Sequence, residues 1–221
     1  MTLWSCEMAR VLIAVPTFEN ITPDTFKALW DMYKGEHEVL FEFVRGHDCA
    51  TARNKIVDKA QELCTDYVLM VDNDVTPPKD ALLNLLSHGA DVVLGYYAHR
   101  NADNVYTGRV CVCKHLKDDG TPWFNYPLES EWTADELREK REAGEYLIQI
   151  HGGGMGCALI KTDVFERLDY PWYDWVNYHD KKIGMLSEDL YFCEKCKADF
   201  TPIYTDTRVA CGHLMRRIQQ V

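Results

Sequence analysis

Over its first hundred residues the chain alternates short apolar runs with segments of helical periodicity, and that alternation leaves few folds open. VLIAV (Val11 to Val15) is continuous, rich in β-branched residues and stopped by Pro16, which is how a strand covered on both faces reads. Thr22 then offers an N-cap with Pro23 at the first helical position. Phe26, Leu29, Trp30 and Tyr33 recur at helical spacing, and Gly35 can end the helix. EVLFEFV (Glu38 to Val44) reads as a second strand. A helix from Thr51 to Cys64 follows, with Ile56, Val57, Ala60 and Leu63 on one face. YVLMV, a helix in DALLNLLSHG ending at Gly89, and the strand DVVLGYY continue the pattern. Strand and amphipathic helix in alternation predict an α/β fold with a Rossmann-like, mixed and mostly parallel central sheet flanked by helices.

Ligands of such sheets bind beyond the carboxyl ends of the strands. PTFEN follows the first strand, RGHDCATARN the second and DND the third, so three loops remote in sequence are expected to meet at one crevice. The apolar run Tyr67 to Val71 leads directly into Asp72, Asn73 and Asp74, and a carboxylate brought under cover needs a partner or a cation. Two carboxylates one residue apart can share a divalent metal that also touches phosphate, and hard oxygen ligands suit Mn²⁺ or Mg²⁺.

The second half reads differently. VYTGRVCVCKHL suggests a strand, KDDGTPWFNYPLESEW a loop, and TADELREKREAG a charged, solvated helix capped by Thr133. EYLIQI and GCALI flank HGGGMG, which is either a tight hairpin or a place where backbone approaches a ligand. In SEDLYFCEKCKADF, Ser187 caps a helix, where Glu188 and Asp189 are favoured by the helix dipole alone. Trp123, Trp172, Tyr173 and Trp175 suit either stacking on an acceptor or packing.

Composition narrows the function. The 221 residues carry a net charge of -11, with 24 Lys and Arg against 35 Asp and Glu, which disfavours a general nucleic-acid surface. Basic residues never run beyond adjacent pairs, Lys140–Arg141, Lys181–Lys182 and Arg216–Arg217. With no apolar stretch long enough to span a bilayer and no signal-peptide pattern at the start, a cytoplasmic protein is expected. Nine cysteines, with Cys64 and Cys157 in apolar surroundings, suit reduced thiols. A zinc site of Cys193, Cys196, Cys211 and His213 is the competing reading.

The ordered series AVPTFEN, TARN, DYVLMVDNDV, GGGMGCALIKTDVFERL, SEDLYFCEKC and VACGH resembles a GT-A fold glycosyltransferase of the family 2 type, similar to small stand-alone phage and bacterial members. The likeness covers nearly the whole chain and implies a single domain, residues 1–100 holding the nucleotide and 101–221 the acceptor. It implies that Asp72, Asp74 and His213 hold the metal on the diphosphate of a nucleotide-sugar, by family default a UDP-sugar. Asp189 matches the acceptor base of inverting members, and Glu188 stands beside it as a second base or an acceptor-positioning group. Pro16, Thr17 and Glu19 would line the base and ribose pocket, and Asp48, Arg53 and Asn54 would contact nucleotide. Asn73 belongs to the same turn as a spacer within the nucleotide site. Gly153, Gly154 and Met155 would border donor and acceptor, with His151 a weaker candidate. The implied acceptor carries a free hydroxyl, on a glycan, a protein, a small molecule or a modified DNA base. A nucleotidyltransferase is the nearest enzymatic alternative, although PTFEN is not a basic glycine-rich phosphate loop.

Overall fold

The structure is a computed structural model that describes residues 8–100, 106–114, 131–177 and 185–214. β1 (Arg10–Thr17) leads through α1 (Pro23–Asp31) to β2 (Glu38–Arg45), and α2 (Cys49–Glu62) leads to β3 (Tyr67–Val71). Then come β4 (Val75–Thr76), α3 (Ala81–Leu86), β5 (Val92–Tyr96), β6 (Ala98–Arg100) and β7 (Tyr106–Cys113). β8 (Glu131–Thr133), α4 (Ala134–Glu142), β9 (Leu147–Ile150), β10 (Gly152–Gly153), β11 (Cys157–Lys161) and α5 (Thr162–Arg167) follow. The chain continues through β12 (Val176–Asn177), β13 (Met185–Leu186), α6 (Glu188–Ala198), β14 (Ile203–Ala210) and β15 (Gly212–His213).

Seven strands form the central sheet in the order β2-β1-β3-β11-β5-β14-β9. β1 runs parallel to β2 and β3, and β14 parallel to β5, whereas β11 is antiparallel to both its neighbours and β9 antiparallel to β14. The sheet is mixed, and β11, from the second half of the sequence, sits between β3 and β5 from the first.

Burial follows the sequence pattern. Val11 to Val15 and Val68 to Val71 are fully covered because helices lie on both faces. One core contains Ile56, Val57, Ala60, Phe165, Trp172, Tyr173 and Phe192, from α2, α5, α6 and the segment after α5; the other contains Leu29, Ala81, Leu82 and Leu85 from α1 and α3. β2 departs from the continuous-burial pattern: as an edge strand it alternates in exposure. Cys64, expected to be buried, is exposed at the left-handed residue ending α2, while Cys157 is buried.

The helix starts are capped as the sequence suggests. Thr22 accepts from the Thr25 N–H, Ser187 from Leu190, and Thr133 with Glu136 closes a reciprocal capping box. α1 stops at Asp31, a turn before Gly35, and α2 starts earlier than Thr51, because Asp48 supplies the cap. HGGGMG is no hairpin: β9 pairs β14, β11 pairs β3 and β5, and the Gly152–Gly153 strand pairs β7. Trp123, most of KDDGTPWFNYPLESEW, the end of the aromatic loop after Asn177, and Arg216 and Arg217 lie outside the described residues. No helix among the described residues is long and apolar enough to cross a membrane.

Candidate active site

At the carboxyl end of β3 the chain turns at once. The Asp72 N–H donates to Gly156 O at 3.0 Å, and the Val75 N–H reaches back to Asp72 O at 3.1 Å, closing a turn over Asp72, Asn73 and Asp74. Asn73 does more than space the aspartates. Its carbonyl accepts from the Thr22 N–H at 3.0 Å, and its amide donates to Thr17 Oγ1 at 3.2 Å and Asn20 O at 2.8 Å. That amide is therefore spent on the loop after β1 and not turned toward a ligand.

Beneath the turn lies Arg53, on the first half of α2 and only 1% exposed. Its Nη2 lies 3.0 Å from Asp72 Oδ1 and 3.2 Å from Asp189 Oδ1, and its Nε lies 3.7 Å from Glu188 Oε1. One buried guanidinium thus faces three carboxylates drawn from β3 and α6. Geometry leaves it incompletely paired: Arg53 Nε and Nη1 and Asp189 Oδ1 are buried without a well-aligned hydrogen bond. The residue expected to contact nucleotide is instead the charge on which the acidic residues are gathered.

The electrostatics follow from that imbalance. Burial pushes the Asp189 carboxyl up, Arg53 pulls it down, the charges of Glu188 and Asp72 raise it again, and the Met155 N–H lowers it, to about 7. Glu188 is raised for the same first reason, against the opposing pull of Arg53. A carboxyl that titrates near neutrality can hold or release a proton at working pH.

The third element of the site comes from the far end of the described chain. β15 pairs antiparallel with β4, and the Leu214 N–H donates to Asp74 O at 2.9 Å, fastening the segment to the turn. His213 Nδ1 lies 2.8 Å from Ala98 O; since a carbonyl only accepts, Nδ1 carries a proton. In the neutral ring this leaves the Nε2 lone pair 3.7 Å from Asp74 Oδ2. Tyr97 supports the imidazole edge-on, with ring centroids 5.0 Å apart. A carboxylate and an imidazole whose other nitrogen is held by a carbonyl form a donor set that fits a divalent cation. Asp72 and Asp74 are turned to different partners, Arg53 and His213, and no group of three such side chains among the described residues is gathered in cation-holding geometry.

HGGGMG passes under these groups, and its glycines answer to protein packing. A Cβ at Gly154 would collide with Tyr97 Oη, and one at Gly156 would lie 2.8 Å from that atom and 2.9 Å from Asp72 Oδ2. Gly153 and Met155 are buried, and the Cys193 thiol donates to Gly153 O at 3.7 Å. The stretch is thus a floor beneath the carboxylates, while His151 is exposed.

Two other residues expected at the nucleotide serve the fold. Asp48 caps α2, accepting from the Thr51 N–H at 3.1 Å and its hydroxyl at 2.6 Å. Asn54 is buried; its amide donates to Tyr173 O at 2.8 Å, and its oxygen accepts from the N–H groups of Trp172 and Tyr173, each at 3.1 Å. Trp172 and Tyr173 are core, whereas Trp175 is 40% exposed. The cysteines do not assemble: Cys193 and Cys196 are buried in one core, and Cys211 packs against the other beside Cys157.

Beside the Asn73-held loop lies an open cleft of about 350 Å³ lined by Thr17, Glu19, Asn20, Ile21, Phe26, Phe43 and Arg45. Thr17 and Glu19, which the resemblance assigns to a base and ribose pocket, are in its wall. Phe26 and Phe43 are not assigned there, because their apolar periodicity reads as core, and Pro16 lies buried in β1 behind the cleft.

No protein family model and no curated protein matches the sequence. Among solved structures, the chain is similar to A197 from STIV, with a TM-score of 0.60 and 20% identity over 94% of this chain and 86% of that one. It is also similar to GalNAc-T7, whose crystal structure contains UDP, GalNAc and Mn²⁺, with a TM-score of 0.61 and 12% identity over 95% of this chain. This is a GT-A fold. The match covers 44% of GalNAc-T7, so the GT-A unit here spans less than half of that protein.

Proposed function

We propose that the chain is a metal-dependent glycosyltransferase of the family 2 type that moves a sugar from a nucleotide-sugar, by default a UDP-sugar, to an acceptor hydroxyl with inversion. The observation that carries this reading is the convergence of Asp72, Glu188 and Asp189 on Arg53 beside the Asp74 and His213 pair, at the carboxyl ends of the parallel strands. In this reading Asp74, His213 and Asp72 would hold Mn²⁺ or Mg²⁺, which would supply positive charge against a diphosphate leaving group.

The protein's own groups do the rest. Asp189 removes the proton of the acceptor hydroxyl; its raised affinity for protons makes it a stronger base than an exposed aspartate. Glu188, one residue before it, orients the acceptor. Arg53 keeps these carboxylates together while no substrate is present. Glu19, Phe26, Phe43 and Arg45 receive the nucleoside in the cleft, with Asn73 holding the loop in place. Residues 1–100 chiefly serve the donor, and those from 101 onward the acceptor, which is a glycan, a protein, a small molecule or a modified DNA base. We place the reaction in the cytoplasm.

Incubation with Mn²⁺ and a panel of nucleotide-sugars tests the proposal. Release of the nucleoside diphosphate, lost on chelation and in Asp74→Ala, is the expected result. Release of pyrophosphate would instead indicate nucleotidyl transfer, and full activity of Asp74→Ala would refute the metal assignment.

A further inference from the structure

Two glycines of HGGGMG are packed against the same side chain, Tyr97. Its phenol is 8% exposed, and its Oη accepts from the Gly156 N–H at 3.1 Å. A Cβ at Gly154 would collide with that oxygen, and one at Gly156 would lie 2.8 Å from it, so both glycines make room for a protein group. Backbone hydrogen bonds place the ring. Tyr97 O accepts from the Cys111 N–H at 3.1 Å and Tyr96 O from the Cys211 N–H at 2.8 Å, which fastens the link between β5 and β6 to β7 and to the segment entering β15.

Two paths of contact lead from this residue to the proposed cation ligands. Through its hydroxyl Tyr97 holds the N–H of Gly156, whose carbonyl accepts from the Asp72 N–H at 3.0 Å and so anchors the start of the Asp72–Asp74 turn. Through its ring it meets the His213 imidazole edge-on, with centroids 5.0 Å apart, while the carbonyl of the next residue, Ala98, takes the Nδ1 proton at 2.8 Å. Tyr97 and Ala98 thus hold the imidazole at two points. The turn and the histidine are far apart in sequence, and one phenol touches the supports of both. Groups that touch the ligands' supports and not the metal set ligand orientation.

We propose that Tyr97 is a positioning residue of the cation site, holding the Asp72–Asp74 turn through Gly156 and the His213 ring by direct packing. It keeps Asp74 Oδ2 and His213 Nε2 3.7 Å apart before a cation arrives. The proposal rests on the reading of Asp72, Asp74 and His213 as metal ligands. It also gives HGGGMG a different task from bordering donor sugar and acceptor: Gly154 and Gly156 serve the cation site by admitting the tyrosine. The preceding residue supplies a matched contrast. Tyr96 is as deeply buried, at 5% exposed, but its hydroxyl donates to Thr207 O at 3.3 Å and its ring packs in the other core.

Mn²⁺ binding to the full chain, alone and with UDP, decides it, read from the electron paramagnetic resonance signal of the free ion. Tyr97→Phe keeps the ring but leaves the Gly156 N–H without its acceptor, and should weaken Mn²⁺ binding about 10-fold. Tyr97→Leu removes the ring as well and should weaken it about 100-fold, the upper end for groups that orient metal ligands. Tyr96→Phe loses a buried hydrogen bond of the same kind and should leave Mn²⁺ affinity unchanged. In the metal-free protein, the His213 ring-proton resonances should move in Tyr97→Leu and stay in Tyr96→Phe. If Tyr97→Leu does not fold, Tyr97→Phe against Tyr96→Phe still decides. Wild-type Mn²⁺ affinity in Tyr97→Phe, or equal losses in Tyr97→Phe and Tyr96→Phe, overturns the proposal and leaves the metal reading standing. A wild type that takes up no Mn²⁺ under either condition overturns both.

Discussion

Two aspartates on the same scaffold, Asp189 and Asp206, are both drawn away from water, and they are treated in opposite ways. Asp206, on β14, is fully buried. Its oxygens lie 2.7 Å from His88 Nε2 and accept from Arg208 Nη2 at 2.6 Å, from Arg208 Nε at 3.0 Å and from the Arg208 N–H at 2.8 Å. These partners overcome burial and hold its carboxyl below the usual carboxylate range. Asp189 shares a single guanidinium with Asp72 and Glu188, has one oxygen without an aligned partner, and is raised to about 7. The first is a completed ionic clasp joining β14 to the end of α3. The second is an acidic cluster short of positive charge, the kind of local conflict that folds tolerate where a ligand is to supply the missing partner.

The largest expected effect is on turnover. Asp189→Asn should lower kcat about 10³-fold, within the range of a lost general base, with the fold intact by circular dichroism. Asp206→Asn should do the reverse, retaining specific activity in the folded fraction while destabilising the chain by about 3 kcal/mol in urea titration, because it breaks a buried charge pair. If both variants merely unfold, the contrast collapses.

Removing the shared charge comes next. Arg53→Met should cost about 3–5 kcal/mol at pH 8, the penalty for uncompensated buried carboxylates, and recover part of it at pH 5 as they take up protons. Smaller again is the ligand effect: Mn²⁺ with UDP at about a hundred times its Kd should stabilise the wild type by about 2.7 kcal/mol, read as a shift in Tm, and Asp74→Ala should show none of it.

The smallest effect tests the sign of the comparison. The Asp189 carboxyl titrates above its unfolded value of 3.8, so its contribution to stability is complete below about pH 4 and is lost as pH rises through 7. Asp206 titrates below 3.8, so its contribution is present above that value and is lost only as pH falls through the lower one. Asp189→Asn should therefore raise the stability of the ligand-free chain by about 1 kcal/mol at pH 8 and by nothing near pH 4, a modest figure because a fifth of the side chain meets solvent.

What the sequence reveals and what it hides divide along a physical line. Local periodicity places β3 at Tyr67–Val71 to the residue, and Thr22, Thr133 and Ser187 identify three helix starts, because strands and caps are written in neighbouring residues. Asp72, Asp189 and His213 are recognisable as polar residues at element ends. Arg53 and Asn54 are not recognisable as anchors. The apolar face of Ile56, Val57 and Ala60 extends back to positions 53 and 54, which gives their burial, but their partners lie 19 to 136 residues away and local spacing does not name them. Phe26 and Phe43 err the other way: helical spacing and an apolar strand read as core, yet both occur at the uncovered edge.

The pairing of β15 with β4 has a consequence for the order in which the molecule can be made. The Asp72–Asp74 turn is translated long before Gly212, Leu214 and the His213 ring that lies against Tyr97. A chain still being synthesised can assemble β1, β2 and β3 while this turn stands without its antiparallel cover. On the reading above, competence to act waits for His213, whereas the pairing of β1 with β2 and β3 needs no residue beyond Val71.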